Sequence, residues 1–174
     1  AFVFDLPRYH KLLALADCVV NIAPDLKTKR DILGNAVEML QRLGIVQPKV
    51  AIVAAVETVN PAIAATVDAR SLVQAARDGA WPGAIVEGPF GFDNAFCAIA
   101  ARVKNMNSQV AGRADLFVMP DLNAGNIAYK ITERIGGAIA TGPIVQGLAL
   151  PVMDLSRGCN AGDIVNMSII ASLY

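Results

Sequence analysis

Charge is scarce in this 174-residue chain: 17% of its residues are Asp, Glu, Lys or Arg, and 15 basic residues cancel 15 acidic ones. A neutral chain whose basic residues do not cluster offers no footprint for a phosphate backbone and no cationic patch for a bilayer surface. Neither nucleic acid nor membrane is therefore an expected partner. Cysteine is scarce too. Cys18, Cys97 and Cys159 are odd in number, lie far apart and form no CxxC pair, and His10 is the single histidine. This excludes a disulfide framework and supplies no metal-ligand spacing, so no metal is expected, and the thiols are expected to be buried in a reducing cytosol. No basic, apolar leader of the secretory type opens the chain, which points to a soluble, cytoplasmic protein. The start lacks Met and runs directly into the strand-like "AFVFDLP", as expected of a chain that begins partway through a larger protein.

What the chain has in quantity is hydrophobic residues, 55% of the total. At this length they suffice for one sizeable core and are marginal for two. Residues 136–153, "GGAIATGPIVQGLALPVM", carry no charge and match a membrane span in length. Gly142-Pro143, Gly147 and Pro151 break that run, so it reads as two or three short buried strands paired through turns.

The rest alternates between strand and helix signals. "DCVVNIA" reads as a strand, followed by a helix from near Asp25 with Leu33, Ala36, Val37 and Leu40 on one face and Gly44 as its stop. "KVAIVAAV" is the next strand, and Ala69, Leu72, Val73 and Ala76 mark a helix ending at Gly79. "GAIVEG" and "ADLFVMP" are further strands, each followed by a helix, marked by Phe92, Ala95, Phe96 and Ile99 and then by Ala124, Ile127, Ala128 and Ile131. Apolar strands separated by helices imply an α/β fold of three layers, a mostly parallel sheet with helices on both faces and some antiparallel strands near the end.

In such sheets ligands sit beyond the carboxyl ends of the strands. "AVETVN", "EGPFGFDN" and "PDLNAGN" fall there, with "DLSRGCNAGD" near the end, and none is a Walker A or GxGxxG element. Each has an ordinary structural reading. Asn160 and Asp163 form a capping-box pattern, Asn123 reads as a helix cap, Gly125 as a point of close packing, and Asp93 and Asn94 as first-turn residues. His10 reads as exposed. Arg157, between Ser156 and Gly158 and just ahead of a helix, also suits a bidentate grip on phosphate.

Four segments carry a resemblance over almost the whole chain: "NIAPDLKTKRDILGNAVEMLQRLGI", "VEGPFGFDNAF", "SQVAGRADLFVMPDLNAGN" and "GPIVQGLALPVMDLSRGCNAGDIVN". Together they resemble the phosphate acetyltransferase and phosphate butyryltransferase family, the earlier ones closer to the butyryl branch and the later ones to the acetyl branch. The resemblance implies an isopropylmalate-dehydrogenase-like fold of two α/β domains around a cleft. Residues 1–155 would then be mainly the second, inserted domain. Residues 156–174 would be the active-site loop and a C-terminal helix returning to a first domain that is mostly absent from this chain.

It also implies the chemistry: acyl-CoA and phosphate exchange for acyl phosphate and CoA by direct attack, with coenzyme A as a substrate, no cofactor, and a homodimer or higher homo-oligomer as the working form. Asp163 matches the base that takes the proton of the CoA thiol, and Ser156 and Arg157 match donors to the negative charge of the transition state. Asn123, Gly125, Asn126, Gly142, Pro143 and Gln146 are candidates for the substrate-binding wall beside Arg157. Two other readings stand beside this one. A non-catalytic acyl-CoA-sensing domain would be favoured by loss of Ser156, Arg157 and Asp163, all of which are present, and a dehydrogenase of the related fold would need a metal-binding carboxylate cluster that the sequence lacks.

Overall fold

A computed structural model describes residues 1–155 and 159–173. Six strands form the main sheet: β1 (Phe2–Asp5), β2 (Leu13–Ala16), β3 (Lys49–Val53), β4 (Ile85–Phe90), β5 (Leu116–Val118) and β6 (Ile139–Thr141), in the order β4-β3-β5-β2-β1-β6. The pairs β2–β5, β5–β3 and β3–β4 are parallel, whereas β1 runs antiparallel to both β2 and β6. Two short strands, β7 (Ile144–Val145) and β8 (Val152–Met153), pair antiparallel outside it.

Alternation along each strand divides the core into two layers. Val3, Ala14, Ala16, Val50, Ile52, Leu116 and Val118 point to one face. There they meet Leu33, Ala36, Val37 and Leu40 of α1 (Leu26–Arg42), Ala69 and Leu72 of α2 (Ala64–Arg77), and Met167 and Ile170 of α6 (Ala161–Ser172). Phe2, Phe4, Leu13, Leu15, Ala51, Val53 and Phe117 point to the other, against α3 (Phe92–Phe96), α4 (Ala98–Val103) and α5 (Leu122–Arg134). The helical spacings of α1 and α2 thus correspond to buried stripes. Among the described residues, no helix is long and apolar enough to cross a membrane.

Three elements depart from the sequence reading. "DCVVNIA" is a loop, and the strand precedes it at Leu13–Ala16. Asp17 is the cause: its carboxylate accepts the N–H groups of Val19 (2.9 Å), Val20 (3.2 Å) and Asn21 (2.6 Å), folding the chain back where a strand would have continued. The third helix is broken at Cys97, which is extended, because the Ala95 carbonyl accepts the Gly112 N–H at 2.9 Å instead of continuing the helical ladder. The charge-free run gives β6, β7 and β8 as short strands, but β6 is an edge strand with Ile139 exposed, and Ile144 is the buried anchor of β7. Of the three free cysteines only Cys18 is buried, while Cys97 and Cys159 are half-buried.

Candidate functional site

The direction of β2, β3, β4, β5 and β6 places their carboxyl ends along one edge of the sheet, and the polar loops follow from there. At its centre the loop after β2 meets the start of α5. Asp121, not Asn123, caps α5 by accepting the Ala124 N–H at 3.0 Å, which leaves Asn123 exposed in the first turn. Gly125 is buried, and a Cβ there would overlap the Asp17 carbonyl oxygen, so the close-packing reading holds. Asn126, one residue on, donates its amide to the Cys18 carbonyl at 3.0 Å. Gly125→Ala is expected to push α5 off this loop, break the Asn126 bond and cost about 1–3 kcal/mol. Thermal melting checks this, and an unchanged midpoint would remove Gly125 from the packing account.

Burial pushes the Asp17 carboxyl up, but its bonds from the Val19, Asn21 and Val20 N–H groups and the Asn21 amide outweigh that and hold it below the usual carboxylate range. Burial and the neighbouring Asp17 charge push the Cys18 thiol up to about 12, so it is a packed, inert thiol and not a nucleophile.

Gly142 and Pro143 separate two cavities. On one side Pro143 and Gln146 line a space of about 240 Å³ with Asp17, Asn21 and Asn35. Gln146 is held there by donating to the Asn35 carbonyl at 2.6 Å. On the other side Gly142 lines a space of about 300 Å³ that also takes in Tyr129, Glu133, Arg134, Cys159, Asn160 and Asp163. A larger cavity, about 610 Å³, runs along β4 between Glu57, Glu87 and Ser108 and contains none of the predicted site residues.

Asp163 is half-buried in the first turn of α6. The capping box expected from the sequence is present: the Asp163 N–H donates to Asn160 Oδ1 at 3.1 Å, and the Asn160 N–H donates to Asp163 Oδ2 at 2.8 Å. One carboxylate oxygen is thereby fixed to the backbone, while Oδ1 has no hydrogen-bond partner among the described residues. A carboxylate held this way can act as a cap and a proton acceptor at once, since the two tasks use different oxygens. Ser156 and Arg157 lie outside the described residues.

Of the other predicted residues, then, Asp163 and Gly142 share one cavity, Pro143 and Gln146 share its neighbour, and Gly125 and Asn126 fix the loop at the sheet edge. Asn123 lines neither cavity. The sequence reading overlooked Tyr129 and Asp17. Tyr129 lies four residues after Gly125 and three after Asn126, on the same helical face, a spacing that could have revealed it. Among the described residues no group of three or more His, Cys, Asp or Glu side chains could hold a metal ion.

A family model described as "Phosphate acetyl/butaryl transferase" matches residues 1–172. The phosphate acetyltransferase of Rhizobium meliloti is 40% identical over 173 residues, covering 99% of this chain and 54% of that protein. The probable phosphate butyryltransferase of Bacillus subtilis (strain 168) is 42% identical over 159 residues, 91% of this chain and 53% of that one. The crystal structure of a branched-chain phosphotransacylase from Enterococcus faecalis V583 superposes with a TM-score of 0.87 at 31% identity, covering 99% of this chain and 61% of that chain. The chain therefore spans about half the length of the curated relatives it matches.

Proposed function

The chain belongs to the phosphate acetyl/butyryl transferase family, and from that premise we propose that it takes part in transfer of a short acyl group between coenzyme A and inorganic phosphate. The observation that carries the reading is Asp163: it opens onto a cavity of about 300 Å³ beside the edge strand β6, with one carboxylate oxygen fixed and the other unpartnered among the described residues. In the direction of acyl-CoA synthesis the CoA thiol must become a thiolate before it attacks the acyl phosphate carbon. Asp163 takes that proton. As the carbonyl carbon becomes tetrahedral its oxygen gains negative charge beside an already anionic phosphate, and Ser156 and Arg157 supply a hydroxyl and a guanidinium to those oxygens. Collapse of the intermediate expels phosphate and leaves the thioester. In reverse, Asp163 returns the proton to the departing sulfur.

Residues 1–155 are, on the same proposal, mainly the second domain, and residues 156–174 the active-site loop and returning helix. The apolar side chains of Ile164, Val165 and Ile169, exposed on α6 in this chain, support a packing role for that helix. The working form is a cytoplasmic homodimer or higher homo-oligomer whose partners are coenzyme A and phosphate species.

The test is thioester formation by the intact protein from CoA and acetyl or butyryl phosphate, before and after exhaustive chelation. Activity is expected to survive, because the mechanism assigns the proton to a carboxylate and the charge to a guanidinium and a hydroxyl. Activity lost on chelation and restored by zinc or manganese would contradict the cofactor-free chemistry, and no thioester at all would contradict the function.

A further inference from the structure

The cavity beside Asp163 has an aromatic wall that the mechanism above leaves unused. Tyr129 of α5 lies against Phe2 of β1, ring centroids 4.3 Å apart and planes within 15°, and Phe2 is itself buried in the core. The ring is thus clamped between helix and sheet. Its hydroxyl, by contrast, makes no hydrogen bond among the described residues. It lies within electrostatic reach of Glu133 and Arg134, which line the same cavity. Burial, followed by the Glu133 charge, raises the phenol above its ordinary value, so it remains a neutral donor throughout the neutral range.

The charges around it indicate what it faces. Among the described residues lining the cavity, Glu133 and Asp163 are carboxylates and Arg134 is a cation. Glu133 Oε2, buried and without a hydrogen bond among the described residues, has the Arg134 Nε at 3.5 Å as its ionic neighbour. The Tyr129 hydroxyl is thus a neutral donor in the same cavity as the Asp163 carboxylate, a group suited to an acceptor that carries no charge in the ground state. In acyl transfer the uncharged group adjacent to the sulfur is the acyl carbonyl.

We propose that the Tyr129 hydroxyl is a substrate contact that donates a hydrogen bond to the acyl carbonyl oxygen in the Asp163 cavity, strengthening as that oxygen becomes an oxyanion. The inference rests on the phosphotransacylase reading and adds to it a residue from α5, across the cavity from α6. A neutral donor suits the role because it costs little to place beside the uncharged thioester and gains most in the transition state.

Tyr129→Phe in the intact protein is the test, since phenylalanine keeps the ring, its stacking on Phe2 and the apolar wall while removing only the hydroxyl. Steady-state kinetics should show kcat lowered on the order of a hundredfold, with KM for phosphate and for CoA little changed and the melting temperature the same as wild type. Unchanged kcat would overturn the proposal, and so would a raised KM for phosphate at unchanged kcat, which would assign the hydroxyl to the phosphate. A silent Tyr129→Phe beside an active wild type overturns this inference alone, whereas a wild type without acyl transfer overturns the functional reading and the inference with it.

Discussion

Asp163→Asn should lower turnover by roughly two to four powers of ten while leaving the melting temperature nearly unchanged. The two halves of that expectation come from the two oxygens of the carboxylate. Asparagine is isosteric and keeps a carbonyl oxygen that can accept the Asn160 N–H, now made to Asp163 Oδ2 at 2.8 Å, so the capping box can persist. Its amide cannot accept a proton at neutral pH, so the thiol loses its base. Substrate binding should change much less than turnover, because the proton moves only as the reaction proceeds. Asp163→Ala separates the roles from the other side: it removes the base together with the Asn160 N–H bond of the capping box, while the Asn160 side chain still caps the helix, and should cost roughly 1 kcal/mol of stability in addition to the loss of rate. A residue serving only as a helix cap would give a nearly silent Asn variant and a destabilised Ala variant with normal kinetics.

Arg157→Gln is expected to lower kcat/KM for phosphate or acyl phosphate by on the order of a hundredfold, with the fold intact. Glutamine retains donors but loses the fixed charge and the planar fork that can hold two oxygens of one phosphate at once. The loss should therefore appear with the phosphate substrates and be small for CoA binding. Kinetics indistinguishable from wild type would remove Arg157 from the site.

Much of the scaffold was legible in the sequence because its signals are local. The stripe Leu33, Ala36, Val37 and Leu40 is buried as its spacing requires, Asp25 caps α1 through the Thr28 N–H, and Asn160 and Asp163 form the capping box that their three-residue separation suggests. The Gly142-Pro143 break likewise falls between β6 and β7. What was misread depends on competition between neighbouring signals. "LALA" and "CVVNIA" are adjacent apolar runs, and the second has the stronger β-branched character, but the Asp17 carboxylate captures three N–H groups of that run and ends the strand before it. No periodicity count includes such a side-chain interaction.

The candidate site divides in the same way. The capping box at Asn160 and Asp163 was legible because a polar loop ahead of an apolar helix is conspicuous in so apolar a chain, whereas a proton-accepting role for Asp163 was suggested only by the family resemblance. Asn123 was misassigned as the cap because Asp121, two residues earlier, competes for the same first-turn N–H groups and accepts from Ala124. The clustering of Tyr129, Gly142 and Asp163 could not be read at all, since it depends on the long-range antiparallel pairing of β6 with β1 and on residues of α5 and α6 lining one cavity beside that edge.

Thiol release from acyl-CoA by the intact protein, measured with and without inorganic phosphate and in parallel for Asp163→Asn, tests the central claim most directly. The account predicts release that requires phosphate, yields one acyl phosphate per thiol, and collapses in the Asn variant at an unchanged melting temperature. Thiol release that proceeds equally without phosphate, or an Asn variant with near-normal turnover, would contradict it.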